Sequence, residues 1–307
     1  MTQQRKNTPA SIQARLANEA KRNKISFNEI LQYYGMERFL YRLSKTQYAN
    51  SFILKGGLIL YSWELPLRRP TKDIDFLGFL ENRKEVIEHV IKTALSISVP
   101  EDGMNFDPNT LSIMETQVDA NRSGIRAKFI GLLDRAEIPI PIDFGFSDEI
   151  SSVAQPIEYP TLLPGMSKPQ LISYPIESVV AEKFHAMERF ASLPSRWKDY
   201  YDIWLISEHF EFVDTTLQAA INTTFENRAT LVPTSRPISL RAEFASKHDN
   251  SWKAFLKRSN LENDEINDLP ILVEKLWTFL QYPIKALVTP NLDRNPKYWL
   301  PNERKWK

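Results

Sequence analysis

The stretch Thr71-Lys72-Asp73-Ile74-Asp75-Phe76 sets two carboxylates two residues apart. If it is a strand, side chains alternate between faces, so Thr71, Asp73 and Asp75 share one face while Ile74 and Phe76 point to the core. Two carboxylates about 7 Å apart on one face repel each other unless a cation lies between them. A hard divalent ion with oxygen ligands meets that need. A solvent-facing strand with two harmless acids is the plain alternative. Fifteen residues earlier stand Gly56 and Gly57, in a chain with only nine glycines, against a usual share of about 7%. Between a strand and a helix, such a pair lets backbone approach a ligand closely and leaves N–H groups to bind phosphate; alone it also fits a simple tight turn.

Three further features join these. Asp143 ends the apolar run Ile138 to Ile142, where a buried carboxylate without a cation is costly. A third carboxylate beside an Asp-x-Asp pair is the requirement of two-metal phosphoryl chemistry; a turn with Gly145 is the other reading. Lys183 lies on the helical stripe of Val179 and Met187, an apolar position where an ammonium must meet an anion. A triphosphate is one candidate and a carboxylate on the following helix is another. Asp199 and Asp202 are three residues apart and Arg196 precedes Asp199 by the same spacing, so the three share one helix face.

The elements that must position these residues follow from periodicity. Thr8-Pro9 reads as an N-cap and first helical position, followed by Ile12, Leu16 and Ala20 on one face. Ser26 and Glu29 make a capping box for a helix that Gly35 kinks or ends and that resumes from Met36 to Leu43. Phe52 to Leu54 and Asp73 to Leu77 read as strands, with a short helix from Leu58 to Leu65 between them, closed by Pro66. Residues 81–97 read as a helix, and Leu111 to Val118, Gly124 to Leu133 and Ile138 to Phe144 as strands, the last an edge strand because of Pro139 and Pro141. Proline and glycine accumulate from Pro156 to Pro169, the expected connection between an N-terminal domain (1–165) and a mostly helical one (166–307). Helices are expected from Pro175 to Phe190, from a Ser195 cap to Glu208, and onward to about Leu287, with the last fifteen residues irregular.

Composition narrows the class. With 42% apolar and 25% charged residues over 307 positions, the chain is globular. No run approaches the ~20 apolar residues of a membrane helix, and the polar N-terminus lacks a signal-peptide core, so a cytoplasmic protein without a membrane partner is expected. Zero cysteines removes disulfides, thiolate zinc sites and cysteine nucleophiles. Residues 1–48 hold nine Lys/Arg against three Asp/Glu, and residues 81–150 seven against thirteen, which fits a phosphate-bearing partner at one end and metal-binding carboxylates further on.

Lys55-Gly56-Gly57, then Asp73-Ile74-Asp75 with Arg69 and Thr71 just before it, resembles the opening motif of the AbiEii/AbiGii toxin nucleotidyltransferases, bacterial members of the polymerase-β-like superfamily. Ala181-Glu182-Lys183-Phe184-His185-Ala186, followed by Arg196 to Asp202, resembles the family's second signature. The resemblance implies an α+β nucleotidyltransferase fold, a small mixed sheet with flanking helices, plus a helical C-terminal domain. It implies Mg²⁺ (or Mn²⁺) held by Asp73, Asp75 and Asp143, the last as third ligand or general base. It implies phosphates cradled by Gly56 and Gly57, with Arg69, Thr71 and Arg196 also at the nucleotide. Lys183 would contact the triphosphate, and Asp199 or Asp202 would complete the catalytic set. The activity implied is a toxin's: NMP moved from an NTP onto RNA, foremost the 3′ end of tRNA, in a toxin–antitoxin system with a cognate antitoxin, inhibiting growth in abortive infection and phage defence. Transfer to a small molecule or protein, and a non-catalytic nucleotide-binding module, are the alternatives. The basic N-terminal segment favours RNA, and the repelling Asp73/Asp75 pair argues against an inactive module.

Overall fold

The computed structural model describes residues 8–63, 65, 70–119, 122–146, 154–190, 196–262, 265–289 and 295–307. The chain divides into two compact units, Met1–Tyr174 and Pro175–Lys307. Among the described residues no helix is long and apolar enough to cross a membrane.

The first unit opens with helix α1 (Pro9–Asn23), where the Ser11 N–H donates to Thr8 Oγ1 and Ile12, Leu16 and Ala20 are buried. Helix α2 (Phe27–Leu43) starts at the Ser26/Glu29 capping box. It runs unbroken through Gly35, contrary to the kink or stop expected there. A Cβ at Gly35 would lie 2.8 Å from Ile140 and 2.9 Å from Ile138, so the glycine lets the helix press onto the sheet. The remaining elements are β1 (Phe52–Lys55), α3 (Ile59–Ser62), β2 (Ile74–Gly78), α4 (Lys84–Leu95), β3 (Met104–Asp119), β4 (Arg122–Leu133), β5 (Ala136–Phe146), β6 (Gln155–Glu158) and β7 (Gln170–Ser173).

The seven strands form one mixed sheet in the order β3-β4-β5-β2-β1-β7-β6, with β2/β5 and β1/β7 parallel and the other pairs antiparallel. Strand β5 is interior, not the edge strand that its prolines suggested. Pro139 and Pro141 have the same parity, so their missing donors fall on one side, and β2 pairs only with residues 142–146, beyond both prolines. Ile138, Ile140 and Ile142 are buried with α2 and α4 residues such as Phe39 and Ile91 in a single core. The stretch 156–169 is no linker: it pairs β6 with β7 and buries Tyr159, Leu162, Leu163 and Met166 in that core. Its apolar side chains, interleaved with the prolines, have more to gain from burial than from connecting two bodies.

Helix α2 also carries buried charge. Arg42 pairs with Asp102 (Nη1–Oδ2 2.6 Å, Nη2–Oδ1 3.1 Å) and donates to the Ile97 and Met104 carbonyls. Glu37 lies 2.7 Å from Arg38 Nη2 and accepts the Leu162 N–H at 2.6 Å. Two of the arginines in the basic N-terminal segment are therefore structural, and Arg15 donates to the Pro164 carbonyl.

The second unit is mostly helical: α5 (Ile176–Arg189), α6 (Trp197–His209), β8 (Phe212–Val213), α7 (Asp214–Asn227), α8 (Ala242–Arg258), α9 (Leu269–Val288), β9 (Tyr298–Leu300) and β10 (Lys305–Trp306). The C-terminal residues are not irregular as expected. β9 sits between β10 and β8 in a small sheet, pinned by indole donors: Trp299 Nε1 to the Ser207 carbonyl and Trp306 Nε1 to the Phe279 carbonyl. Ser195, the expected cap of α6, lies outside the described residues; Arg196 occupies the N-cap.

Burial raises the Glu37 carboxyl pKa to about 7, with Arg38 and the Leu162 N–H opposing part of the rise. Between its ordinary range and about 7 the folded state holds more protons than the unfolded chain, so folding stability falls as pH rises through this window. Glu37→Gln is expected to remove that component. Melting temperature from pH 5 to 8 should fall more steeply for the parent than for the variant.

Candidate active site

Strand β2 begins at Ile74, one residue after Asp73. Ile74 and Phe76 are buried, while Asp73 and Asp75 are half-buried, as alternation requires. Thr71, expected beside the acids, precedes β2, is buried where they are half-buried, and its N–H donates to the Tyr33 hydroxyl at 3.1 Å. Registry then builds a row across four strands. Lys55 of β1 is opposite Asp75, Asp75 is opposite Asp143 of β5, and Asp143 is opposite Arg126 of β4. Directly paired residues project from the same face, so two carboxylates stand side by side with a cation at each end.

The turn after β1 is fitted to this row. Gly56 has φ of +71°, and a Cβ on it would lie 1.9 Å from Asp75 Oδ2 and 2.7 Å from Asp75 Cγ. Glycine is required twice there, for the left-handed backbone and for the space the carboxylate occupies. Gly56 and Gly57 stand between β1 and α3, as expected. Helix α3 has only four residues, so a phosphate here would meet the N–H groups of the turn more than a helix dipole.

Asp143 is gripped by Arg126, with Nε donating to Oδ1 and Nη2 to Oδ2, both at 2.6 Å. The hydrogen bonds to Asp143 and then its charge raise the guanidinium pKa above its ordinary value, and Asp73 and Asp75 add to the rise. All three carboxylates therefore act on Arg126. Neither Arg126 nor Lys55 was singled out as a site residue from sequence. The available signal was parity: Arg126 alternates with the buried Ile125 and Ala127, so it had to face away from the core.

Among the described residues no group of three or more His, Cys, Asp or Glu side chains is gathered tightly enough to hold a metal ion. That does not conflict with magnesium, which is usually bound by one or two carboxylates plus substrate phosphates and water. Asp73 and Asp75 fit such a role: they are partly open, both act electrostatically on Arg126, and a glycine turn packs on Asp75.

The second unit holds its own charged cluster. Lys183 of α5 is buried, its Nζ 2.6 Å from Asp202 Oδ2 and 3.2 Å from Asp199 Oδ1 on α6. Arg196 Nη1 lies 3.7 Å from Asp199 Oδ2, a buried oxygen with no hydrogen-bond partner among the described residues. Of the two anions open to Lys183 from sequence, the carboxylates of the following helix are thus in place. Arg69 lies outside the described residues.

A family profile described as "Nucleotidyl transferase AbiEii toxin, Type IV TA system" matches residues 38–282. Among solved structures, JHP933 from Helicobacter pylori is 16% identical, with 86% of this chain and 94% of that chain covered at a TM-score of 0.48. A candidate nucleotidyltransferase from H. pylori is also 16% identical, with 87% and 100% covered at a TM-score of 0.46. No curated protein matches the chain.

Two outcomes follow from these contacts. Gly56→Ala should lower stability by about 1–2 kcal/mol from the left-handed backbone alone and also displace the Asp75 carboxylate, so that thermal stability and divalent-ion affinity fall together. Lys183→Met should strand two buried acids and cost about 3–5 kcal/mol in ligand-free protein, measured by denaturant unfolding. Adding Asp202→Asn to that variant should recover part of the loss.

Proposed function

The chain belongs to the AbiEii nucleotidyl transferase toxin family of Type IV toxin–antitoxin systems, and from that premise we propose that it moves a nucleoside monophosphate from an NTP onto RNA, foremost the 3′ end of tRNA. The observation that carries this reading is the fit of Gly56 against Asp75, which makes the phosphate-binding turn and the acidic pair one construction. Asp73 and Asp75 hold Mg²⁺ or Mn²⁺ together with the triphosphate, and the ion supplies charge neutralisation at the reacting phosphate. Gly56 and Gly57 offer backbone N–H groups to the phosphates. Arg69, Thr71 and Arg196 are further nucleotide contacts by family resemblance. By the same resemblance Lys183 would contact the triphosphate, and Asp199 or Asp202 would complete the catalytic set.

In the transfer itself, the acceptor hydroxyl oxygen forms a bond to the α-phosphorus. The bond from that phosphorus to the bridging oxygen breaks, and pyrophosphate leaves with the electron pair. The hydroxyl proton passes to a carboxylate of the site. The chain's part is positioning and charge stabilisation, as in other phosphoryl transfers. RNA is the acceptor that suits the exposed Lys21, Arg22 and Lys24 at the end of α1, because phosphate contacts from Lys and Arg dominate RNA affinity. A cognate antitoxin, a cytoplasmic setting, growth arrest and a part in phage defence belong to the same reading.

The deciding experiment incubates the protein with each labelled NTP, Mg²⁺ and total RNA. Label on RNA is expected. Label on protein or a small molecule moves the acceptor class, and no label with any NTP rejects transfer. Asp75→Asn should reduce transfer by roughly 10²–10³-fold, the scale of losing one preorganised charge contact, at unchanged melting temperature. A folded Asp75→Asn variant as active as its parent would remove the acidic pair from the chemistry.

A further inference from the structure

Arg126 and Asp143 are bound by two parallel hydrogen bonds of 2.6 Å, the geometry that makes an arginine–carboxylate pair both strong and directional. The pair is not buried: the Arg126 side chain is 50% exposed and that of Asp143 28% exposed. A merely structural pair this open contributes little stability, yet this one lies next to Asp75 in the registered row. Two of the five guanidinium N–H donors are committed to Asp143, and among the described residues three remain for another anion.

We propose that Asp143 is the orienting partner of Arg126, not a metal ligand, and that Arg126 binds the triphosphate, supplying the positive charge a second ion would otherwise bring. The site then takes one divalent ion, on Asp73 and Asp75. The inference rests on the nucleotidyl-transfer reading and specifies its metal count. Among the described residues no three acids are gathered for an ion, and each Asp143 oxygen accepts a 2.6 Å hydrogen bond from Arg126, which turns the carboxylate toward the guanidinium. With Lys55 and Arg126 flanking the row, Asp73, Asp75 and Asp143 outnumber the cations by one, so a single divalent ion already turns the site positive toward a triphosphate. Guanidinium is suited to this work because its planar fork matches carboxylate on one edge and phosphate on another.

The test is an electron paramagnetic resonance titration of full-length protein with Mn²⁺ in the presence of a non-hydrolysable NTP analogue, with analogue affinity measured alongside. The parent should bind one ion. Asp143→Asn should keep that ion within about threefold of parental affinity, while both Asp143→Asn and Arg126→Gln weaken analogue binding about tenfold or more, the scale of one charge-assisted hydrogen bond. Arg126→Lys should restore part of it. A second ion in the parent that Asp143→Asn removes makes Asp143 a ligand and overturns the inference. So does unchanged analogue affinity in Arg126→Gln, which decides the matter even if Asp143→Asn fails to fold, as melting temperature will show. If the parent binds no Mn²⁺ at all, the nucleotidyl-transfer reading itself falls, a result distinct from either of these.

Discussion

Asp75 and Asp143 stand on adjacent parallel strands in direct register, and the rest of the first unit's site is arranged around that repulsion. Strands about 4.8 Å apart bring like charges close enough that something positive must sit beside them. Lys55 and Arg126 stand at the two ends of the row, contributed by the strands that flank β2 and β5. The isoleucines and phenylalanines on the other side of the same strands fix the register, because a slip of one residue would turn every acid into the core. Core packing and site electrostatics are therefore one constraint seen from two faces of the sheet.

Glycine enters this arrangement where space is scarcest. Gly56 yields its Cβ position to the Asp75 carboxylate, and Gly35 yields its own to Ile138 and Ile140 on the buried face. One brings a turn onto the site and the other brings a helix onto the sheet. A chain with few glycines has placed both where backbone must approach a neighbouring side chain.

Each unit handles buried charge by local pairing. In the first, Arg42 and Asp102 join α2 to the segment before β3, and Glu37 ties it to the loop at Leu162. In the second, Lys183 meets Asp199 and Asp202 across two consecutive helices. The pairs differ in what they leave over. Arg42 has its donors met by Asp102 and backbone carbonyls, whereas Asp199 has one buried oxygen with no hydrogen-bond partner among the described residues. The basic look of the N-terminal segment is correspondingly divided: Arg38 and Arg42 are interior, while Lys21, Arg22 and Lys24 face solvent.

Local sequence by itself determined the capped helices α1 and α2, the alternation that turns Asp73 and Asp75 away from the core, and the buried stripe that carries Lys183. Each of these depends on neighbours within a few positions, through capping hydrogen bonds or side-chain period. The motif order also carried the family. What tertiary structure decided is partnership. Arg126 reaches Asp143 across seventeen positions of a hairpin, and nothing in its own neighbourhood marks it beyond parity. Pro139 and Pro141 argued for an edge, yet an interior strand accommodates them because its partner β2 pairs beyond them. Gly35 suggested a break, yet the helix needed its missing Cβ for contact with a strand a hundred residues later. The C-terminal tryptophans offered no periodicity, and their indole donors found carbonyls on distant helices. Local patterns encode which face a residue shows; which residue meets it there is set by strand order and register, which the core selects as a whole.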